Sequence, residues 1–505
     1  MEWEEERIVA HLEALVSFLR RHERLWRAHV VEFFQGRLWE ILDTQWLLAL
    51  RNASMEDLLL LPSHISKDCW PKTLQDFLAD ARSLSLSREL METSKVLPFT
   101  KPCGSLPSVI TQGVNAKKLH EIERLSSLIV NISRVVNATE IVDVGAGQGY
   151  LAQVLAFHHK LPVVAVDCSA HNTTVTNKRA DRIQRYYASR SGKLDIVLHT
   201  GRAANPGPKT ATCLLGSGNE NVSLDAFLSS ISIRKEDEQR SHEQHSIVLA
   251  GLHACGDLSA NMLRTFVNRQ DVTAVISVGC CYNLLSENDD KCGFPLSRGV
   301  KRLNLRLGGA GRDLGCQSAH RWKDIGCEMA VANFDVHAFR AAFQILLHRF
   351  YPGIAVTSPS VGRIGKAKRR KQMRKPSSEC QACHGKGGDD AGKFVAFQHY
   401  SAEALKRLGL PEVSREDLAE IWKEVEPFQA LVSPFWSLRS AIAPVLETLL
   451  LMDRLLYLKE QESEVPSFSA MLLPVFDPCV SPRNMAVVAT RRKSGDKTSS
   501  ESLLG

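Results

Sequence analysis

The chain has 505 residues, a formal net charge of +7, 13 cysteines and an apolar share of 44%. That length exceeds one simple core and predicts two or three regions, while the apolar share excludes a wholly disordered chain. Thirteen cysteines without framework spacing fit a reduced compartment, cytoplasmic or nuclear, rather than a disulfide scaffold, and so modest a charge does not by itself point to nucleic acid.

The chain opens with MEWEEERIVA, which lacks the basic-then-apolar layout of an export signal. Residues 1–105 are expected to form a helical region. Ile8, Leu12, Leu15, Val16 and Leu19, then Trp26, Val30, Phe33 and Phe34, recur at helical spacing. Its tryptophans fit a self-packing core, or alternatively a lid over a groove. Residues 115–136 predict an amphipathic helix capped by Asn115, with Lys117 and Lys118 on its first turn.

The next stretch, Ile141–Tyr150 (IVDVGAGQGY), reads as an apolar strand, a glycine turn and a helix start. A second apolar strand, VVAVD, ends at Asp167. This is the nucleotide half of a doubly wound α/β sheet. A dinucleotide fingerprint needs G-x-G-x-x-G, and here Tyr150 fills the place of the third such glycine. The spacing Gly145, Gly147, Gly149 after Asp143 suits S-adenosyl-L-methionine instead, a nucleoside without phosphate that ends in an amino acid. Asp143, Gly145, Gly147, Gly149 and Asp167 are the expected cofactor-binding residues. Asp167 would take the ribose hydroxyls.

A polar helix at Val175–Ser191 and a third strand at Leu194–His199 follow, then a surface insertion over 201–245. Strands at Ile247–Leu252 and Ala274–Val278, joined by a helix at Leu258–Val267, continue the parallel sheet. A second insertion spans 286–430, with a helix at Met329–Phe350 and a basic disordered linker at about 360–393. Within it, Gly362–Lys375 holds eight basic residues and no acid, compatible with a nuclear address or phosphate contacts. A long helix at Ser437–Lys459 and two strands, Ala470–Phe476 and Met485–Thr490, close the sheet; 493–505 is a disordered tail. The core is thus expected over 108–200, 246–285 and 430–492. The apolar stretches Val272–Leu285 and Ala441–Leu458 read as core rather than as membrane spans, the second because it carries Glu447, Asp453 and Arg454.

Two loops past expected strands, Leu252–Leu258 (LHACGDL) and Gly279–Tyr282 (GCCY), should flank the reacting group. Methyl transfer is an in-line displacement, so a site mainly positions the acceptor and removes its proton. Asp257 or His253 would be the base, and Tyr282 would stack on a nucleobase or shape the pocket. Alternatives are a cysteine nucleophile, or zinc held by His253, Cys255, Cys280 and Cys281, which no C-x-x-C pair anchors. Cysteines that merely pack are the plain alternative, and no metal is expected. Cys380-Gln-Ala-Cys383-His384 matches a c-type haem string but lies in the basic linker, where metal binding is the better of two weak readings. LHACGDL lacks the Asn/Asp-Pro-Pro-aromatic tetrad of adenine N6 chemistry.

VDVGAGQGYLA, KKLHE, GLHACGDLSANML, GCCYNLL and FDPCVSPRNMAVVA, in this order, resemble the methyltransferase-like 25/25B family, nearest to its 25B branch. The resemblance implies a seven-stranded, Rossmann-like class I methyltransferase fold that binds S-adenosyl-L-methionine. An adenine dimethylase activity is not carried over, because the tetrad is missing. The H-x-C-G segment is also similar to tRNA 2′-O-methyltransferases of the Trm-thirteen type, although here the acid follows Gly256 directly. The expected activity is therefore methyl transfer to RNA (rRNA or tRNA), with a protein methyltransferase or an inactive RNA-binding scaffold as alternatives.

Overall fold

The computed structural model describes residues 3–90, 106–191, 207–216, 222–236, 245–287, 292–319, 322, 325–356, 390–464 and 468–491. The chain divides into two compact units. One comprises residues 1–20, 83–320 and 443–505, and the other residues 21–82 and 321–442.

The first unit is built on a seven-stranded sheet of order β3-β2-β1-β4-β5-β7-β6. Its strands are β1 (Glu140–Val144), β2 (Val163–Asp167), β3 (Lys209–Thr212), β4 (Ile247–Ala254), β5 (Val272–Gly279), β6 (Phe468–Pro474) and β7 (Met485–Arg491). The first five pair in parallel, and β7 runs antiparallel between β5 and β6. This is the seven-stranded α/β sheet that the sequence predicts. Every residue of β1 is buried, because parallel strands joined by crossover helices are covered on both faces. The helices that position the site are α1 (Ala116–Val135), α2 (Tyr150–Gln153), α3 (Ala170–Ser191), α4 (Leu224–Glu236), α5 (Asp257–Asn268) and α6 (Ala443–Glu464). Asn115 caps α1 through Oδ1, which accepts from the Lys118 N–H at 2.8 Å. The α1 residues Ile122, Leu125, Leu128, Ile129 and Ile132 join one apolar core with β1, β2, β4 and β5.

Four expectations change. The third strand is Lys209–Thr212, inside the segment read as a surface insertion, and α4 follows it there. That strand is polar and at the sheet edge, so apolar patterning does not mark it. The stretch proposed instead, Leu194–His199, lies outside the described residues. Second, the helix expected at Ser437–Lys459 is two helices, Val432–Ala441 and α6, with the break at Ile442. Pro444, which has no N–H to donate, sits in the first turn of the second helix.

Third, residues 21–82 group with 321–442 rather than standing with the rest of an N-terminal region, since their aromatic rings find partners far along the chain. Trp39 stacks on Phe428 with centroids 4.4 Å apart, and Phe33 meets Phe435 edge-on at 5.4 Å. Fourth, the insertion expected over 286–430 is divided. Asp453 on α6 accepts the N–H groups of Leu296 and Ser297 at 2.8 and 2.9 Å, which binds that stretch into the first unit. Residues 357–389, including most of the expected basic linker with Lys366–Lys375, Cys380, Cys383 and His384, lie outside the described residues. From Asp390 the chain is helical, so the last residues of the expected linker, 390–393, belong to a helix.

Among the described residues no helix is long and apolar enough to cross a membrane. The charges within 441–458 have partners inside the protein. Glu447 pairs with Arg88 at 2.6 Å and Arg483 at 2.5 Å, and Arg454 Nη2 donates to Ser259 Oγ at 2.9 Å.

Candidate active site

The turn after β1 is tight. The N–H groups of Gly145 and Ala146 both donate to the Val166 carbonyl, and Gly149 N–H closes onto Ala146 O at 3.0 Å. Gly145, Gly147 and Gly149 all have positive φ, a region where a Cβ is strained. Their surroundings separate their roles. A side chain at Gly147 would meet nothing within 4 Å, so that face is open to a ligand. One at Gly149 would run into Thr176 of α3, so this third glycine is required by helix packing rather than by a ligand. The ring of Tyr150, where a dinucleotide site would have glycine, lies between Lys118 Nζ at 5.2 Å and the Arg179 guanidinium at 3.8 Å.

Two carboxylates bracket the turn. Asp167, at the end of β2, accepts from Gly147 N at 2.8 Å, Ser169 N at 2.9 Å and Asn172 Nδ2 at 2.9 Å. A carboxylate has about four lone-pair sites, so about one remains for a hydroxyl. Asp143, in β1, is only 1% exposed and its Oδ2 has no hydrogen-bond partner. Burial pushes its carboxyl up to about 7, although the Lys118 charge and the Ala152 N–H act the other way. An orphaned buried carboxylate oxygen in the strand that leads into an open glycine turn fits a ligand that brings a cation.

The carboxyl end of β4 and the first turn of α5 border this turn. A Cβ at Gly145 would lie 3.7 Å from His253 O and 3.5 Å from Leu258. Of the three expected catalytic residues, His253 keeps access to solvent, with its side chain 37% exposed. Its Nε2 lies 3.6 Å from Oε2 of Glu121, a buried residue on the second turn of α1. Burial pushes the Glu121 carboxyl up, but bonds with His253 and Ser481 and the Lys117 charge outweigh this and hold it at about 2. Ser481 Oγ donates to Glu121 Oε1 at 2.6 Å, and Lys117 Nζ is 3.4 Å from the same oxygen. Glu121 and Ser481 escape sequence reasoning. KKLHE and DPCVSPRN contain them, but nothing local says that a helical glutamate and a hairpin serine 360 positions apart will meet.

The other two expected catalytic residues have their polar atoms engaged within the protein. Asp257 is the first residue of α5, and both its oxygens are engaged, Oδ1 by Ser286 N at 2.8 Å and Oδ2 by Ser286 Oγ at 2.7 Å. A side chain at Gly293 would collide with Asp257, so the carboxylate is packed against that loop and acts as its clamp. Tyr282 is 2% exposed, its hydroxyl donates to Glu447 Oε1 at 3.2 Å, and Arg454 and Arg483 flank its ring. It cannot stack on a nucleobase. Burial beside Glu447 raises its phenol well above the usual value, which keeps it neutral.

The cysteines of the two loops converge. Cys255 Sγ lies 3.2 Å from Cys280 Sγ and 3.3 Å from Cys281 Sγ, and the last two are 3.5 Å apart. The bond with Cys280 lowers the Cys255 thiol, but the bond with Cys281 and burial outweigh it and raise Cys255 to about 11; bonds with Cys255 and Cys281 push Cys280 up as well. A thiolate nucleophile needs the opposite shift. His253 is not part of this triangle, so the four-ligand set considered from sequence is not assembled.

The profile of a family described as "Methyltransferase domain" matches residues 117–288, from the first turn of α1 past the β5 loop. The chain carries a methyltransferase domain. "Probable methyltransferase-like protein 25" of Mus musculus is 26% identical, across 95% of this chain and 96% of its own. The Homo sapiens protein of the same name is 24% identical, across 96% and 97%. The likeness to methyltransferase-like protein 25 therefore runs nearly end to end and takes in the second unit. No solved structure matches.

Proposed function

We propose that the chain is an S-adenosyl-L-methionine-dependent methyltransferase with RNA as its acceptor. The observation that carries the cofactor is the unpartnered Oδ2 of buried Asp143, in the strand that leads into the turn where Gly147 stands open. A methionyl ammonium would supply the missing partner, and Gly145 and Gly147 would let the backbone approach it. Asp167 has a lone-pair site left for the ribose. Bound there, S-adenosylmethionine would supply an electrophilic methyl group.

The chain's own residues would hold and deprotonate the acceptor. His253, exposed at the carboxyl edge of β4, takes a proton, and Glu121 orients its ring and stabilises the cation formed. Asp257 holds the neighbouring loop in place and takes no part in proton transfer. RNA as acceptor is supported by the basic run at Lys366–Lys375 and by the similarity of the H-x-C-G segment to tRNA-modifying enzymes.

Calorimetry with S-adenosylmethionine and NAD tests the cofactor, and only the first should bind. Methyl transfer from labelled donor into RNA and protein fractions of cells lacking the chain tests the acceptor. Label confined to protein would replace the RNA reading. Binding without transfer to either would leave a scaffold.

A further inference from the structure

We propose that Cys255, Cys280 and Cys281 form a zinc site of three thiolates, independent of which acceptor the protein modifies. Among the described residues, these make the one group of three His, Cys, Asp or Glu ligands whose ligand atoms lie close enough to share an ion. All three are half-buried, and they come from the carboxyl ends of two adjacent strands, so the sheet itself brings them together.

The triangle favours a metal over the alternatives. Sulfur separations of 3.2–3.5 Å are far longer than a disulfide bond of about 2.05 Å, so no disulfide is present. A disulfide would also use two of the sulfurs and strand the third, whereas here all three face one another at nearly equal distances. A tetrahedral zinc with Zn–S bonds of about 2.3 Å needs sulfurs about 3.8 Å apart, so the triangle must open by only about 0.3–0.6 Å. Small χ1 rotations supply that.

The backbone is arranged for this convergence. Gly256 follows Cys255 at φ 56°, and a Cβ there would strike the Leu284 carbonyl oxygen at 2.7 Å, so the turn that aims Cys255 inward requires glycine. On binding, each Zn–S bond replaces an S–H bond and the three protons go to solvent. Three protein ligands leave a fourth position for water or an acceptor atom, at the same sheet edge as His253.

The test uses the full chain, purified without chelator, with zinc measured by mass spectrometry and zinc-edge X-ray absorption. About one zinc per chain with three sulfurs in its shell is expected. The Cys380→Ser/Cys383→Ser double variant should keep that zinc, because those cysteines are outside the triangle, whereas Cys255→Ser and Cys281→Ser should each reduce it at least about five-fold. Should either single variant fail to fold, cobalt substitution of the unaltered protein decides. Intense thiolate-to-cobalt absorption that zinc abolishes supports the site. The proposal is overturned if the protein holds no zinc above background, if the shell is nitrogen and oxygen only, or if the double variant alone loses the metal.

Discussion

Asp167 offers the sharpest test of the cofactor reading. Its carboxylate holds Gly147 N, Ser169 N and Asn172 Nδ2 at 2.8–2.9 Å, so it both shapes the glycine turn and keeps a site for the ribose. Replacing it with asparagine leaves one acceptor oxygen and points an NH₂ group at donors. At least one of the three bonds is lost, together with the free position. Bonds to charged groups contribute about 1.5–3 kcal/mol each, and partial exposure here argues for the low end. Asp167→Asn should therefore raise the Kd for S-adenosylmethionine about 10–30-fold, and Asp167→Ala about 30–100-fold, read by calorimetry. Adenosine, which shares the ribose, should lose affinity in step. The melting midpoint should fall by only about 2–4 °C, since the sheet beneath does not depend on the turn. If both variants bind the cofactor within about two-fold of the unaltered protein, the ribose assignment fails and the turn serves another ligand.

Four further outcomes follow from the site. Asp143→Asn should weaken cofactor binding yet stabilise the free protein at neutral and higher pH. The folded carboxyl is raised from 3.8 to about 7, so its contribution is full below 3.8 and lost as pH rises through about 7; across that range the unaltered chain should lose stability relative to the Asp143→Asn variant, and parallel melting-midpoint profiles for the two would refute the shift. Glu121 runs the other way, with its folded carboxyl lowered from 4.5 to about 2. Its stabilisation is present above 4.5 and lost as pH falls through about 2, and Glu121→Gln should lack that acid-side slope in a pH titration of stability. His253→Gln should cut turnover by about 10²-fold or more with cofactor affinity unchanged, in a single-turnover assay on the acceptor. Tyr282→Phe should cost about 1 kcal/mol in denaturant unfolding, through the lost bond to Glu447, and leave turnover alone; a turnover defect without destabilisation would restore it to the acceptor pocket.

The sequence by itself determined the nucleotide half of the sheet, because its signals are local. Apolar runs mark β1 and β2, glycines mark a turn that needs positive φ, and carboxylates at Asp143 and Asp167 end the pattern. The same holds for α1, whose cap and stripe lie within one segment. What spacing could not separate was one glycine from another, since only the packing of Thr176 shows that Gly149 serves α3 while Gly147 faces open space. Tertiary structure alone decided which side chains meet at the carboxyl edge. Asp257 and Tyr282 stand in a promising motif, yet Ser286 closes one and Glu447 buries the other. Glu121 meets His253 and Ser481, and three sulfurs from two strands form one triangle, only when β4, β5 and the final hairpin lie side by side. A side chain's role depends on what surrounds it, and those neighbours come from segments hundreds of residues apart.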